Sequence, residues 1–434
     1  MTMNKRMILA SFVAGASMLT LAGSVSAATT DLNIYGASAQ FLYWNAVAPN
    51  VLTNMGCTNI EQAKLGSNQG ITRATCGADT VYYRVAAKAS FDGPSAVMGD
   101  DHYADTAEKC VSTSVGYPGA ALAPYYRLMI DEASCTTWGP TTAPGSCGAT
   151  KCARITLGAS DVAAESFTQS SSGQLKGPLG GGVISRTFTG IDVTGLTSYQ
   201  PLVVPFAFFS HNTVQKDTAY PAGAFSTISN MPRSMAVQLF SGQVYNWKDF
   251  GDEFVSLDAV ACLRHAGSGT ASAFDHTIMN GGFWGAPVAS VESVGGPTIY
   301  FNDSSSDLMK CVNTVAGAVG YADADQTTSA YPNVVRLSYN GEVPSRVNMR
   351  NGRYEYFTNM WMYEDPAAPN YAVTHPIVSA MMAFAADPAS IPTTSTAWGS
   401  AKSDYWATRA EMVFNKVNDK GYPGYVGAAS PQLP

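Results

Sequence analysis

Apolar runs that end in short turns of small residues recur along the chain and predict a mixed α/β protein. Residues 31–35 have the pattern of a short strand that leads directly into Gly36-Ala37-Ser38-Ala39-Gln40-Phe41. From Phe41 to about Met55 the apolar residues recur at helical spacing. A strand, a small-residue turn and a helix point backbone N–H groups and the positive end of the helix dipole at an anion. An ordinary packing turn has the same pattern, so both interpretations stay open.

Two further strands are predicted to end in polar turns. The segment 154–161 leads into Gly158-Ala159-Ser160-Asp161, where a carboxylate often caps the next helix. A strand over 255–263 leads into Arg264 and the small residues 266–270, before a helix over 271–279. Hydroxyls and consecutive N–H groups at that helix start converge on a small anion, and Arg264 offers a planar fork for two oxygens. The alternative is a Ser/Thr-capped helix with Arg264 in a structural ion pair.

The rest of the pattern predicts a covered sheet with helices and loops. Residues 201–209 form a nearly continuous apolar strand, as in a sheet covered on both faces. The Ser/Gly-rich stretch 171–182 predicts a surface loop and lacks the Gly-Lys pair of a nucleotide-binding phosphate loop. The other predicted elements are strands at 81–87 and near 315–325, a loop-rich excursion at 118–148, and helices at 234–240, 374–384 and 404–417.

The amino terminus has the organisation of a cleavable signal peptide. Lys5 and Arg6 precede the apolar stretch 7–21, and Val25-Ser26-Ala27 provides small residues for cleavage. The remaining 407 of 434 residues carry a formal net charge of −9 and predict two or three lobes at ~150 residues per domain. The apolar stretch is shorter than the ~20 residues that span a bilayer, and no cysteine occupies a lipid-attachment position. We expect a periplasmic or secreted protein without membrane insertion.

Composition and motifs exclude several functions. Only 13% of residues are charged, the balance is acidic and no Lys/Arg cluster occurs, which excludes nucleic acid as a partner. No Gly-x-Ser-x-Gly elbow activates Ser268, and His265 acts as its base only if the turn folds back. Metal-ligand spacing is absent among the histidines, so no metal or cofactor is expected: His102, His211, His265, His276 and His375. A phosphoester hydrolase therefore lacks its machinery, and we expect a binding protein rather than an enzyme.

The order of these segments resembles the periplasmic phosphate-binding proteins, the substrate-capturing components of phosphate ABC transporters, which have the type II periplasmic binding fold. The resemblance spans residues 31–325 and is carried by six motifs: Ile34-Tyr-Gly-Ala-Ser-Ala-Gln-Phe41, Gly158-Ala-Ser-Asp161, Pro201 to Phe206, Phe240-Ser-Gly-Gln-Val-Tyr-Asn-Trp247, Arg264 to Phe274 and Gly317-Ala-Val-Gly-Tyr321. It implies an α/β fold of two lobes joined by crossing hinge strands near Val204 and Tyr321. After the signal peptide 1–27, one lobe would comprise 28–204, including a cysteine-rich insert at 57–152, together with 323–434 and its carboxyl-terminal tail; the other would comprise 205–322.

The resemblance also implies a ligand, inorganic hydrogen phosphate, and a membrane permease as partner for a monomeric protein. The binding residues it implies are Gln40, Phe41, Asp161, Arg264, Ser268, Gly269 and Thr270, with Ser95 as an additional candidate. Phe41 would donate its backbone N–H, Arg264 would bind two oxygens and residues 268–270 would supply hydroxyl and backbone donors. Asp161 would accept a proton from the ligand. A carboxylate repels an anion that brings no proton, so Asp161 would favour hydrogen phosphate over sulfate.

Two positions differ from the family's usual pattern. Gln40 stands where the family usually has threonine, and Ala266 stands where an acidic residue usually orients the arginine. These differences and the insert favour a second hypothesis, in which a secreted surface interaction or sensor protein keeps the fold without binding phosphate tightly.

Eight cysteines behind a signal peptide predict disulfide bonds. Eight cysteines allow on the order of a hundred connectivities, among which the sequence does not choose, and one or two buried thiols are the alternative. The pairing that favours local closure and the two-lobe division is Cys57–Cys76, Cys110–Cys152, Cys135–Cys147 and Cys262–Cys311. No Cys-x-x-Cys occurs, which leaves thioredoxin-like chemistry and haem attachment without support.

Overall fold

A computed structural model describes residues 28–102, 104, 107–280, 287–291, 298–399 and 401–426. The predicted signal peptide 1–27 lies outside these residues. Across the described ranges, no helix is both long enough and apolar enough to cross a membrane.

The strands are β1 (Thr29–Ala37), β2 (Thr58–Leu65), β3 (Gln69–Cys76), β4 (Asp79–Lys88), β5 (Tyr126–Ile130), β6 (Gly145–Ser146), β7 (Thr150–Arg154), β8 (Leu157–Ser160), β9 (Ser170–Gln174), β10 (Val183–Thr187), β11 (Thr197–Tyr199), β12 (Leu202–His211), β13 (Gln215–Asp217), β14 (Phe225–Thr227), β15 (Asn230–Met231), β16 (Val260–Arg264), β17 (Thr298–Asn302), β18 (Ala318–Asp323), β19 (Val334–Arg336), β20 (Ser338–Tyr339), β21 (Phe357–Asn359), β22 (Trp361–Glu364), β23 (Ala407–Thr408), β24 (Phe414–Asn415) and β25 (Gly424–Tyr425). The helices are α1 (Ser38–Asn54), α2 (Asp92–Met98), α3 (Arg233–Phe240), α4 (Gly269–Phe274), α5 (Ser305–Thr314), α6 (Arg346–Arg350) and α7 (Tyr371–Ala386).

The first sheet has the order β11-β22-β8-β1-β4-β3-β2-β6. Its β1 pairs in parallel with β4 and β8 and continues directly into α1, which confirms the predicted strand, turn and helix. Gly36, the last residue but one of β1, has φ +128°, and a Cβ there would lie 2.1 Å from the Ala159 carbonyl oxygen. Only glycine allows this approach, which places the start of α1 beside the end of β8.

The second sheet has the order β17-β16-β18-β12-β19, and β21 and β23 pair with the start of β12. All ten residues of β12 are buried, as the apolar run predicts for a covered strand. The partner of β12 changes along its length, from Thr358 opposite Val204 to Asp323 opposite Phe206. The predicted crossing positions Val204 and Tyr321 thus lie on two strands that pair with each other.

Four disulfide bonds join the eight cysteines, in the predicted pairing: Cys57–Cys76, Cys110–Cys152, Cys135–Cys147 and Cys262–Cys311. Three of them lie in the region 57–152. That region contributes β2, β3, β4 and β6 to the first sheet, so much of it is part of the lobe's framework.

Two sequence-based predictions are wrong. The helix predicted over 404–417 is instead the two short strands β23 and β24 around a 3-10 turn, Arg409–Glu411. Burial of Trp406 and pairing of β23 with β12 override the helical spacing. The loop predicted over 171–182 is part of an antiparallel hairpin of β9 and β10. The serines of β9 carry no apolar alternation that would signal a strand.

Candidate functional site

Arg264 ends β16 and is the buried cation of the site, with 4% of its surface exposed. Its Nη1 donates to Ser305 Oγ at 2.8 Å and to Thr270 Oγ1 at 3.5 Å, and its Nη2 donates to the Asp303 carbonyl at 3.0 Å. Its Nε has no hydrogen-bond partner in the described part of the chain. Although Ala266 cannot orient it, the guanidinium is held by two hydroxyls and a carbonyl.

The turn after Arg264 is fixed by segments from the first half of the chain. The Ala266 N–H donates to Ser171 Oγ at 2.9 Å, and the Phe91 N–H donates to the Gly267 carbonyl at 3.2 Å. Ser268 then precedes α4, and its hydroxyl does not cap the helix. A π-helical segment, Asp275–Met279, continues α4 without a break. The start of this helix is thus anchored with the Ser268 hydroxyl still available.

Asp161 follows β8 and is buried, with 2% of its surface exposed. The Ser90 hydroxyl donates to Asp161 Oδ2 at 3.1 Å, whereas Oδ1 has no hydrogen-bond partner among the described residues. Burial and then the charge of Asp323 raise the pKa of Asp161 to about 7, against opposing effects of the Ser90 hydrogen bond and Arg264. The carboxyl group can therefore exchange a proton near neutral pH.

Gly269 joins these parts into one cluster. A Cβ at this position would lie 2.3 Å from Ser90 Oγ and 2.8 Å from Asp161 Cβ. The backbone of α4 therefore begins directly against Ser90 and Asp161, and a side chain would separate them. Of the predicted residues, Asp161, Arg264, Ser268, Gly269 and Thr270 lie together.

A cavity of about 570 Å³ opens beside Arg264. The first turn of α1 contributes Ser38, Ala39 and Phe41 to its wall, and residues 304–306 contribute the start of α5. The first N–H groups of a helix have no intrahelical acceptor and carry the positive end of its dipole. Two helix starts and one guanidinium therefore border the same space.

Gln40 and Phe41 lie in α1 near its start, and the Gln40 side chain is hydrogen-bonded within the protein. The Gln40 side chain donates to the Ser160 and Trp361 carbonyls at 2.8 and 3.3 Å, and it accepts from the Trp44 indole at 3.1 Å. These bonds keep its amide inside the lobe. The Gln40 N–H belongs to the first turn of α1, where N–H groups have no intrahelical acceptor. The Phe41 N–H is the first that has one, the Ala37 carbonyl four residues before it.

The structure places Ser90, rather than the candidate Ser95, next to Asp161. Ser95 lies within α2, and its buried hydroxyl has no hydrogen-bond partner in the described residues. Ser90 follows β4 by two residues, at the carboxyl end of a parallel strand. That strand-end position was the signal in the sequence that distinguishes the two serines.

Sequence reasoning also missed Asp323 and Ser305. Asp323 ends β18, is buried and faces Arg264 across the Ser305 hydroxyl, which donates to Asp323 Oδ2 at 3.3 Å. Burial and the charge of Asp325 raise the pKa of Asp323, while Arg264 and Lys402 oppose the rise. Asp325 is itself paired with the buried Lys402. No local motif marks either residue, because strand pairing alone brings β18 beside β16.

Residues 185–388 match the family model described as the PBP superfamily domain. This stretch contains Arg264, α4, Ser305 and Asp323. The match confirms the resemblance that the sequence motifs carry, at the level of the superfamily, and the mixed α/β fold class with it.

Two solved structures are similar to the chain over most of its length. One is an ABC-type phosphate transport receptor from Vibrio cholerae, with 13% identity and a TM-score of 0.42, covering 81% of this chain and 93% of that chain. The other is a phosphate binding protein from Stenotrophomonas maltophilia, with 11% identity and a TM-score of 0.43, covering 81% and 83%. Both are distant similarities.

Proposed function

We propose that this protein is an extracytoplasmic solute-binding protein, not an enzyme, that captures hydrogen phosphate between its two lobes and delivers it to the permease of an ABC transporter. One observation carries the proposal. The buried guanidinium of Arg264 and the buried carboxyl group of Asp161 each keep a polar atom without a hydrogen-bond partner among the described residues, and both lie beside the start of α4. Buried polar groups are nearly always hydrogen-bonded, and a ligand that accepts from one and donates to the other would satisfy both.

Hydrogen phosphate meets both requirements. Its unprotonated oxygens accept from Arg264 Nε, the Ser268 hydroxyl and the backbone N–H groups at the start of α4. Its hydroxyl donates to Asp161 Oδ1. A fully deprotonated oxyanion would leave Asp161 facing bare oxygen, at a cost of about 1–3 kcal/mol for an unpaired buried acceptor.

Equilibrium dialysis of the full chain against labelled phosphate and sulfate tests the proposal. We expect one phosphate site per chain, and sulfate that competes about ten- to a hundredfold more weakly, since it leaves Asp161 unpaired. Equal competition by sulfate, or no retained phosphate, would overturn the proposed function.

A second function is favoured by one feature of the packing. The cavity beside Arg264 is not lined by Asp161 or by residues 268–270, which instead pack closely around Gly269. A secreted interaction or sensor protein with the same fold would use this closed arrangement without exchanging phosphate. Dialysis separates the two functions, because only the transport protein retains phosphate reversibly.

A further inference from the structure

A second buried carboxylate shares Arg264 with Asp161. Asp323 is 4% exposed and lines the cavity next to Arg264. Its Oδ2 accepts from Ser305 Oγ at 3.3 Å and from Gln326 Nε2 at 3.2 Å. Its Oδ1 has no hydrogen-bond partner within the described ranges. The site therefore contains two buried carboxylates, each with one unpartnered oxygen.

Asp323 does not satisfy its charge by direct pairing with the arginine. No ion pair joins the two side chains in the described structure; instead Arg264 Nη1 donates to Ser305 Oγ at 2.8 Å, and that hydroxyl donates to Asp323. A carboxylate whose only task was to neutralise Arg264 would contact the guanidinium directly. Asp323 lines the cavity and keeps one oxygen without a hydrogen-bond partner among the described residues.

We propose that Asp323 is a second proton acceptor of the anion site, and that the site therefore selects an oxyanion carrying two acidic hydrogens, dihydrogen phosphate rather than the monoprotonated dianion. The inference rests on the proposed function and deepens it. A dianion has one O–H group and would leave one carboxylate facing a bare oxygen. A monoanion with two O–H groups donates to both carboxylates, and it brings one negative charge fewer than the dianion to a site with one guanidinium.

The other charged groups around Asp323 do not change this balance. Asp325 is paired with Lys402, and Glu108 with Lys88 at 3.0 Å. On the rim, His265 Nε2 lies 3.7 Å from Asp303 Oδ1. The buried phenols of Tyr321 and Tyr356 stay neutral, because burial raises the pKa of each further above its ordinary value. Among the described residues that line the cavity, Arg264 is thus the cation without a direct carboxylate partner.

Calorimetric titration of the full chain with phosphate between pH 6 and 9, in two buffers of different ionisation enthalpy, tests the inference. Above the second ionisation of phosphate, affinity should fall about tenfold per pH unit, with uptake of about one proton per phosphate bound. A site that takes the dianion would show a flat profile and no uptake there. This measurement on the unaltered protein requires no variant to fold.

Asp323→Asn sharpens the test, because the amide offers an N–H to the second oxygen of the dianion. We expect the alkaline fall in affinity and the proton uptake to disappear in this variant. Asp303→Asn is the matched control, an acid-to-amide change in the same cavity that keeps the backbone carbonyl bound by Arg264, and it should retain the profile of the unaltered protein.

The outcomes separate the two proposals. If Asp323→Asn weakens binding equally at every pH, Asp323 only positions Arg264 through Ser305, and the inference is overturned. A flat profile in the unaltered protein overturns the inference alone. Absence of phosphate binding at every pH overturns the proposed function and, with it, the inference.

Discussion

Three arginines are buried among the described residues, Arg84, Arg127 and Arg264, and the surroundings of Arg84 and Arg264 are opposite in kind. Arg84, on β4, is fully buried and contacts the carboxylates of Asp31 and Glu132 directly. Its Nε donates to the Ile130 carbonyl at 2.9 Å. Arg264, on β16, contacts no carboxylate directly among the described residues and keeps Nε without a partner.

The two arginines differ in where their charge is balanced: Arg84 is paired within the protein, whereas Arg264 borders the cavity. A buried charge is costly unless it is paired and hydrogen-bonded. Around Arg84 the protein supplies both carboxylates, whereas around Arg264 it supplies hydroxyls and places two carboxylates just out of contact. A protonated anion would supply hydrogen bonds that the surroundings of Arg264 lack. Arg84 already has its partners within the protein.

Replacement of Arg264 by methionine should have the largest effect on binding. Arg264→Met removes the guanidinium at similar side-chain volume, and phosphate affinity should fall about a thousandfold, because two charge-assisted hydrogen bonds contribute about 1.5–3 kcal/mol each. Unfolding of the phosphate-free variant should need no less denaturant than the unaltered protein, since an incompletely paired charge is removed. Affinity within tenfold of the original, by calorimetry, would show that Arg264 is not a ligand residue.

Arg84→Met makes the same change in the other cluster. It leaves Asp31 without this partner and Glu132 with Lys151 alone. Breaking a buried pair costs about 3–5 kcal/mol, and because both carboxylates are partly exposed we take the lower end, about 3 kcal/mol. We expect the free energy of unfolding in urea to fall by that amount, while the folded fraction keeps its phosphate affinity. A loss of affinity at unchanged stability would reverse the roles assigned to the two arginines.

The two clusters should also respond to pH with opposite signs. The pKa of Asp161 is raised to about 7. The contribution of this carboxyl group to stability is therefore complete below pH 3.8, its ordinary pKa, and is lost as the pH rises towards 7. The pKa of Glu132 is lowered: burial raises it, but the hydrogen bond from Lys151 and the charge of Arg84 lower it further. Its contribution is complete above the ordinary value of 4.5 and is lost as the pH falls through the lowered value.

Urea unfolding of phosphate-free variants checks these signs. At pH 7.5 Asp161→Asn should be more stable than the unaltered protein, by roughly 1.4 kcal/mol for each unit by which the pKa is raised, and near pH 4 the difference should vanish. Glu132→Gln should be less stable at pH 7.5. Equal stability of Asp161→Asn and the unaltered protein at both pH values would contradict the raised pKa of Asp161.

Asp161→Asn should also change selectivity, which Glu132→Gln should not. The amide can donate to a bare oxygen, so sulfate binding should strengthen by about tenfold while phosphate binding weakens. Competition dialysis of the two ions measures the ratio. Unchanged discrimination would mean that another group, with Asp323 the first alternative, rejects sulfate.

The sequence allowed prediction of the parts of the site that are encoded locally. Asp161, Arg264 and residues 268–270 each follow a strand, and a polar residue at a strand end is visible without a structure. The pairing of the cysteines was also predicted, because each bond closes a short loop or stays within one lobe.

The remaining parts depend on contacts between distant segments. Ser305 meets Arg264 from 41 positions along the chain, and Ser90 meets Asp161 from 71. Apolar spacing alone likewise gave the wrong element over 404–417, where pairing with β12 decides the conformation. The identity of such partners is fixed by strand pairing and helix placement, which a local pattern does not contain.

The smallest predicted effect compares Ser90 with Ser95, the candidate that the sequence analysis chose. Ser90→Ala removes a neutral hydrogen bond to Asp161 Oδ2, so phosphate affinity should fall about threefold to tenfold, in line with about 0.5–1.5 kcal/mol per bond. Ser95→Ala should leave affinity unchanged, because that hydroxyl has no contact with Asp161. Calorimetry on both variants decides between them. A loss confined to Ser95→Ala would mean that the ligand-binding serine is Ser95, in α2. It would require a different arrangement of Asp161 and the start of α4.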